Sequence, residues 1–259
     1  MNNRRDDKNR RKFRDNKPQK EDKNFISGKN PVREALEAGI VEKAHTCDKN
    51  YFDELKRAYK NLVYMDRNAF KTRFPDVRDV VVAKIIPFQY SSIEEIINSC
   101  KEESVVAILD HIEDPHNFGA IIRTCVCAGV EGIVIPNARS VEVTSVVYKT
   151  SAGAVSHIKI AKVPNVSNTI EFLKKNDFWV YGIEASGSES IYGVDYKGKT
   201  AVVLGSEGSG ISRVVQKNLD YLLNIPMSGK LSSLNVSVAT GIFLYEIKRK
   251  KEKIGVNAI

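Results

Sequence analysis

From Lys101 onwards, short apolar runs alternate with helical stretches, and this alternation constrains the fold more than any other feature of the sequence. The apolar runs predict strands at residues 105–109, 132–135, 179–183, 201–204 and 221–225. Continuously apolar strands separated by helices are typical of a parallel sheet that helices cover on both faces. We therefore predict an α/β fold with a parallel sheet for residues 93–259.

A smaller unit is predicted at residues 25–92. Its pattern indicates helices at 31–38 and near 53–61, and strands at 62–65 and 80–83. Short strands that alternate with helices predict a compact α/β unit. Ser91 or Ser92 is suited to cap a helix that leads into the second unit, because a serine hydroxyl accepts a hydrogen bond from a free backbone N–H at a helix start.

The positive charge of the chain is concentrated at its N-terminus. The formal net charge is +8 over 259 residues, and residues 1–24 carry ten Lys and Arg against five Asp and Glu. These residues contain almost no large apolar side chains, so we predict a disordered basic tail. Such a tail acts either as a solubilising arm or as a loose contact with RNA phosphates, and the sequence leaves both interpretations open.

Several classes of protein are disfavoured by the composition. No apolar run approaches the ~20 residues of a membrane-spanning helix, and the first residues lack the apolar stretch of a secretory signal. The four cysteines form no CxxC pair, and the four histidines never occur at HxxxH spacing. We therefore expect a cytoplasmic protein with reduced thiols, no membrane contact and no bound metal.

The first of three polar segments, residues 110–124, follows a predicted strand. Ligands bind at the carboxyl ends of the strands in parallel sheets of this kind. Asn117 is predicted to cap the next helix, and Arg123 is the single cation within that otherwise apolar helix. A structural ion pair is the alternative to a functional role for Arg123.

The second segment, residues 204–211, runs from a predicted strand into a glycine-rich turn and then a helix. Gly205 and Gly208 would let backbone N–H groups approach a ligand closely. The segment is neither a phosphate-binding P-loop nor a dinucleotide fingerprint, because it lacks the Lys-Ser/Thr pair of the former and the GxGxxG order of the latter.

The third segment, residues 225–239, is rich in hydroxyl and amide groups and precedes the last predicted helix. Ser233 and Asn235 could cap that helix. Together with the apolar side chains of Ile225, Met227 and Leu234, they could equally hold an adenosine.

The three segments together resemble the ordered motifs of the SpoU/TrmH branch of the SPOUT RNA methyltransferases. The matching residues are Asp114-Pro-His-Asn-Phe-Gly-Ala with Arg123-Thr124, Gly205-Ser-Glu-Gly-Ser-Gly-Ile, and Ile225-Pro-Met with Ser233-Leu-Asn-Val-Ser-Val-Ala. The residues from Ile26 onwards, Ile-Ser-Gly-Lys-Asn-Pro-Val-Arg-Glu-Ala-Leu, resemble the ribosomal-protein-like RNA-binding domain of the subgroup that methylates large-subunit ribosomal RNA.

This resemblance implies a fold, a reaction and a state of assembly. The C-terminal segment would form a deep trefoil knot, a rare exception to unknotted topology. The protein would be a homodimer that methylates a ribose 2′-hydroxyl in RNA, with S-adenosylmethionine as methyl donor. Within RNA, the resemblance favours a guanosine of 23S ribosomal RNA as the target. The last helix supports a subunit interface, because Ile242, Phe243 and Tyr245 give it more apolar surface than one sheet face requires.

Site residues also follow from the resemblance. Gly205, Ile225 and Leu234 would line the cofactor pocket, and Leu204, Gly208, Met227 and Ser233 complete the predicted cofactor site. Arg123 would grip the target phosphate and ribose, and a role as the base stays open because an arginine rarely loses its proton. Glu207 would orient Arg123 or the backbone near the cofactor. Asn117, Ser233 and Asn235 would position the ribose and the loops.

Two other functions fit parts of the pattern. One is ribose methylation of transfer RNA instead of ribosomal RNA. The other is a catalytically inactive RNA-binding factor in ribosome assembly, which would explain the basic tail and the N-terminal unit but not the presence of Arg123 and Asn235. A nucleotide-dependent enzyme of the Rossmann type would require a fingerprint that the sequence lacks.

Overall fold

The structure is a computed structural model that describes residues 25–206, 208–229 and 233–252. It contains a four-stranded sheet with strand order β1-β4-β2-β3 and a seven-stranded sheet with order β7-β6-β5-β10-β8-β11-β9. The predicted basic tail and Glu207 lie outside the described residues. One continuous hydrophobic core contains buried residues of both sheets, so packing does not mark a boundary between them. The division predicted between residues 92 and 93 stays a prediction.

The first sheet and its helices comprise β1 (Phe25–Ser27), α1 (Lys29–Glu37), β2 (Val41–Thr46), α2 (Lys49–Leu55), β3 (Leu62–Tyr64), α3 (Arg67–Arg73) and β4 (Val81–Ile85). The second comprises α4 (Ile93–Ser99), β5 (Val105–Asp110), α5 (Pro115–Ala128), β6 (Gly132–Pro136), α6 (Ser145–Thr150), β7 (Lys159–Val163), α7 (Val166–Lys174), β8 (Trp179–Ile183), β9 (Glu189–Ser190), β10 (Thr200–Gly205), α8 (Arg213–Gln216), β11 (Tyr221–Asn224) and α9 (Val236–Lys251). None of the described helices is long and apolar enough to cross a membrane.

The large sheet is parallel throughout, which confirms the predicted α/β fold. Every pairing between its strands is parallel, and β10 lies between β5 and β8. The register places Gly205 opposite Asp110, so the first and second polar segments leave the sheet side by side at its carboxyl edge. The side chains of the central strands are buried, as the continuous apolar runs require.

The small unit contains three elements that the sequence did not predict, β1, β2 and α3, and one of its predicted helices lies elsewhere. The helix predicted near residues 53–61 is α2, which begins earlier because the Asp48 carboxylate accepts a hydrogen bond from Tyr51 N at 3.0 Å. The following helix of the connector begins as predicted after Ser92, whose hydroxyl and Glu95 form a reciprocal capping box.

The start of α5 corrects a second prediction. Asn117 does not cap this helix: the cap is Asp114, whose carboxylate accepts hydrogen bonds from the backbone N–H groups of His116 and Asn117. Pro115 occupies the first helical position, where proline is favoured because its missing N–H would have no intrahelical partner. Asn117 therefore lies within the first turn, with its side chain available for other contacts.

Helix α9 packs against α5, and its exposed surface differs from the prediction at one residue. Phe243 is fully buried in the core and does not add to the surface. Val238 and Tyr245 are about half exposed, at 49% and 50%, and Ile242 is partly buried between them. These three side chains recur at i, i+4 and i+7, so they share one outward face of the helix.

The two units meet closely at Gly153, which follows α6. Its φ of +88° is a conformation that glycine adopts readily, and a Cβ at this position would overlap the Cβ and Cγ of Glu34 on α1. Next to this contact, His157 Nε2 lies 2.8 Å from the Glu34 carboxylate. Gly39 offers a matched comparison, because its φ is +70° but a Cβ there would meet nothing within 4 Å.

We expect Gly153→Ala to destabilise the protein more than Gly39→Ala. Both variants force a side chain into the left-handed region, at about 1–2 kcal/mol each. Gly153→Ala also overpacks the contact with Glu34, which adds about 1–3 kcal/mol. Urea unfolding of both variants measures the difference, and equal losses would contradict the proposed tight contact between the units.

Candidate active site

Two adjoining cavities lie at the carboxyl edge of the large sheet. The first, which we call the cofactor cavity, has a volume of about 440 Å³, and the second, the target cavity, about 500 Å³. Their walls share Ser206, Ser209, Gly210 and Val236. The two cavities therefore adjoin at the glycine-rich turn and the start of α9.

All seven residues predicted to bind the cofactor line the cofactor cavity. They are Leu204, Gly205, Gly208, Ile225, Met227, Ser233 and Leu234. Met227 and Leu234 are 39% and 40% exposed, so their apolar side chains can pack against a ligand. Burying such surface contributes about 25 cal/mol per Å².

The wall between the cavities depends on a tight turn. Ser206 and Gly210 pair through two backbone hydrogen bonds of 3.1 and 2.9 Å. The turn then packs directly on the end of β10, because a Cβ at Gly205 would overlap the backbone of Gly210 and Ile211. Gly210 has a φ of +64° and lies against the carboxylate of Glu184. Glycine at these two positions is therefore a geometric requirement of the wall.

A buried carboxylate fastens the same turn to the first segment. Asp110, at the end of β5, is 1% exposed. Its Oδ2 accepts a hydrogen bond from Ser212 N at 2.8 Å, and its Oδ1 lies 2.6 Å from His111 Nδ1. Asp110 thus connects β5, the turn after β10 and the wall of the target cavity, which His111 lines.

The first and third segments meet through two asparagines. Asn235 Nδ2 donates a hydrogen bond to Asn117 Oδ1 at 3.0 Å, although 118 positions separate the two residues. Asn235 also caps α9, since its Oδ1 accepts a hydrogen bond from Ser237 N at 2.9 Å. Asn117 lines the target cavity and Ser233 the cofactor cavity. The predicted positioning residues are therefore grouped where the cavities adjoin.

Arg123 lies apart from this group. It is exposed on α5 and lines neither cavity. Within the described parts of the chain it has no ion pair or hydrogen bond, so the structural ion pair considered for it does not form there. The neighbouring Cys125 is fully buried, and burial raises the pKa of its thiol far above the ordinary range.

Several residues that line the cavities were not predicted from the sequence, and three of them carry polar side chains that could act on a ligand. His111 and Arg139 line the target cavity, and Glu184 lines the cofactor cavity. All three follow the carboxyl end of a strand, which is the signal that could have indicated them. Over residues 25–206, 208–229 and 233–252, no group of three or more His, Cys, Asp or Glu side chains is arranged to hold a metal ion.

Comparison with known families agrees with the arrangement of the three segments. The SpoU rRNA Methylase family matches residues 104–245, which contain both cavities. The chain belongs to this family. A relative from Staphylococcus saprophyticus, named for the TrmH family of tRNA/rRNA methyltransferases, is 39% identical over 245 residues, which cover 90% of this chain and 98% of that protein.

Solved structures of methyltransferases share the fold. The SpoU methyltransferase AviRb from Streptomyces viridochromogenes, in complex with AdoMet, matches with a TM-score of 0.75 at 21% identity over 88% of this chain and 90% of its own. The AdoMet-bound rRNA methyltransferase from Sinorhizobium meliloti matches with a TM-score of 0.72 at 25% identity, over 87% of this chain and 86% of its own.

The SpoU family uses S-adenosylmethionine, and this chain is accordingly an S-adenosylmethionine-dependent RNA methyltransferase. The cofactor cavity suits this molecule. Apolar side chains at Ile225, Met227 and Leu234 can hold an adenine, and the space beside Gly208 is open, so a ligand can approach the backbone there.

Proposed function

We propose that this chain methylates a ribose 2′-hydroxyl of RNA, with a guanosine of 23S ribosomal RNA as its target. The observation that carries the proposal is the hydrogen bond between Asn117 and Asn235 at the junction of the two cavities. An in-line displacement requires the attacking oxygen, the methyl carbon and the sulfur of the donor to lie on one line. Two adjoining cavities can hold the two molecules next to each other for this alignment.

The residues of the chain have separate tasks in this proposal. Bound S-adenosylmethionine would supply an electrophilic methyl group. Ile225, Met227 and Leu234 hold the adenosyl group, while Ser233 and the Asn117–Asn235 pair position the loops and the ribose. Arg139 is the only Lys or Arg among the described residues that line the target cavity, and it is suited to contact an RNA phosphate. Glu207 keeps its predicted role of orienting Arg123 or the backbone near the cofactor.

We also propose that the active form is a homodimer. The outward face of α9, with Val238, Ile242 and Tyr245, is apolar enough to bury against a second copy. Arg123 projects from α5, the helix that α9 packs on. In a dimer whose interface is formed by α5 and α9, Arg123 would bind RNA in the partner's site. This would explain why Arg123 lies away from the cavities of its own chain.

The knotted topology stays part of the proposal. Support comes from the strand order, in which β10 inserts between β5 and β8, and β11 inserts between β8 and β9. After β11 the chain returns past the cofactor cavity, where Ile225 and Leu234 lie, before α9 packs on α5. A deep trefoil knot, as in the resembling enzymes, requires the C-terminal segment to pass through a loop of the preceding chain, and we propose that path for this segment.

The target is tested by methylation of purified RNAs in vitro. The protein and S-adenosylmethionine are incubated with protein-free 23S ribosomal RNA or with transfer RNA, followed by partial alkaline cleavage. Ribose methylation protects one phosphodiester, because the blocked 2′ oxygen cannot attack the adjacent phosphate. We expect one protected position in 23S RNA. Protection confined to transfer RNA would favour the transfer RNA alternative, and cofactor binding without any protection would favour the inactive assembly factor.

A further inference from the structure

His111 is a wall residue of the target cavity that has no role in the function proposed above. Its Nδ1 lies 2.6 Å from Oδ1 of the buried Asp110. The other carboxylate oxygen of Asp110 accepts a hydrogen bond from Ser212 N at 2.8 Å, so the carboxylate is held from both sides. An ionised carboxylate only accepts hydrogen bonds. The shared hydrogen therefore lies on Nδ1, and Nε2 is the ring nitrogen that the neutral tautomer leaves as an acceptor.

The remaining nitrogen of this imidazole is free to accept a proton. Among the described residues, His111 Nε2 has no hydrogen-bond partner, and the side chain is 38% exposed at the cavity wall. A histidine in the wall of a cavity that a buried carboxylate holds through Nδ1 has the arrangement of a general base. The target cavity also shares part of its wall with the cofactor cavity, so a base there would lie near the methyl donor.

We propose that His111 is a catalytic residue that accepts the proton of the target ribose hydroxyl, with Asp110 as its positioning residue. The inference rests on the function proposed above. In the reaction, the ribose oxygen forms a bond to the methyl carbon, the bond between that carbon and the sulfonium sulfur breaks, and its electron pair stays on sulfur. The hydroxyl proton moves to His111 Nε2, and the Asp110 carboxylate stabilises the resulting imidazolium.

Other charged groups face the same space and can contribute to the pH dependence of the rate. Glu113, Asp114 and Arg139 line the target cavity with His111, and Asp110 lies behind it. A pH profile of the wild-type protein would combine their effects. The profile therefore has to be compared with that of a variant that lacks only the imidazole.

His111→Asn is the variant of choice. His111 has a φ of +63°, and asparagine is one of the few residues that tolerate this conformation. We expect kcat to fall by about 10²- to 10⁴-fold, the usual contribution of a positioned base. The affinity for S-adenosylmethionine should change little. The pH dependence of the rate should differ between the wild type and the variant, because the variant lacks the imidazole.

Two further variants separate a catalytic role from a structural one. His111→Gly also accepts a positive φ and leaves a space that added imidazole can fill, so imidazole should restore part of its rate. Asp110→Asn should lower kcat by holding the imidazole in the wrong tautomer. His116→Asn is the matched control, because His116 is exposed on the same segment, does not line either cavity and should retain full activity.

The outcome separates this inference from the proposed function. Each reaction product is analysed for methyl on the ribose or on the base. If the wild type methylates ribose while His111→Asn keeps its rate within a few-fold and an unchanged pH profile, the inference is wrong and the proposed function stands. If the wild-type product carries the methyl group on the base, the proposed function is wrong, and the inference with it.

Discussion

Arg123→Ala should lower the rate of methyl transfer by about 10²-fold or more, because a group that only orients the target can contribute this much to an aligned displacement. The affinity for S-adenosylmethionine should be nearly unchanged, since Arg123 does not line the cofactor cavity. Steady-state kinetics with 23S RNA and calorimetric titration of the cofactor measure the two effects. Arg123→Lys is a charge-retaining control and should recover only part of the rate, because lysine cannot make the paired hydrogen bonds of a guanidinium.

Mixed dimers test whether Arg123 serves the partner's site. Arg123→Ala and Asn235→Ala subunits are each expected to be inactive alone. If Arg123 acts across the interface, a mixed dimer keeps one intact site, and an equal mixture should recover about a quarter of the wild-type rate by statistical pairing of subunits. Arg123→Ala activity within a few-fold of wild type would show that Arg123 has no part in the reaction. An inactive mixture would show that it acts within its own subunit.

Gly205→Ala should reduce the affinity for S-adenosylmethionine at least about tenfold, which corresponds to about 1.4 kcal/mol. The added Cβ would overlap the backbone of Gly210 and Ile211, so the turn that separates the cavities must move. Both cavities share that turn, so methyl transfer should fall further than cofactor binding. Calorimetric titration of the cofactor measures the first effect and single-turnover kinetics the second.

Gly208→Ala is the matched control for this effect. Gly208 lines the same cavity in the same turn, but a Cβ there would meet nothing within 4 Å. We expect its cofactor affinity to fall less than that of Gly205→Ala, because a methyl group there would narrow the approach to the cofactor without displacing the turn. Equal losses in the two variants would mean that the whole turn is sensitive to substitution, and that close packing at Gly205 is not the cause.

The sequence predicted the central strands of the large sheet but not those at its edges. The central strands are continuously apolar because helices cover both of their faces. By contrast, β7 contains Lys159 and Lys162, and β9 has only two residues, Glu189 and Ser190, so neither shows the apolar pattern. The start of α5 was predicted too late in the chain, since Asn117 was expected to cap the helix but Asp114 caps it and Pro115 is its first residue.

The candidate site was predicted unevenly. The seven predicted cofactor residues line one cavity, and the sequence pattern had placed them after strands of the same parallel sheet. The contact between Asn117 and Asn235 depends on how α5 and α9 pack, and the sequence contains no local signal for it. His111 and Arg139 enter the target cavity from the ends of two different strands, so their proximity arises only from the tertiary fold.

The position of the transferred methyl group tests the account most directly. The protein is incubated with 23S ribosomal RNA and S-adenosylmethionine that carries a deuterated methyl group, and the RNA is digested to nucleosides for mass spectrometry. We predict a labelled guanosine whose fragmentation leaves the label on the ribose and an unlabelled guanine base. A label that stays with the base would contradict ribose methylation, and with it the roles proposed for Asn117, Asn235 and Arg123.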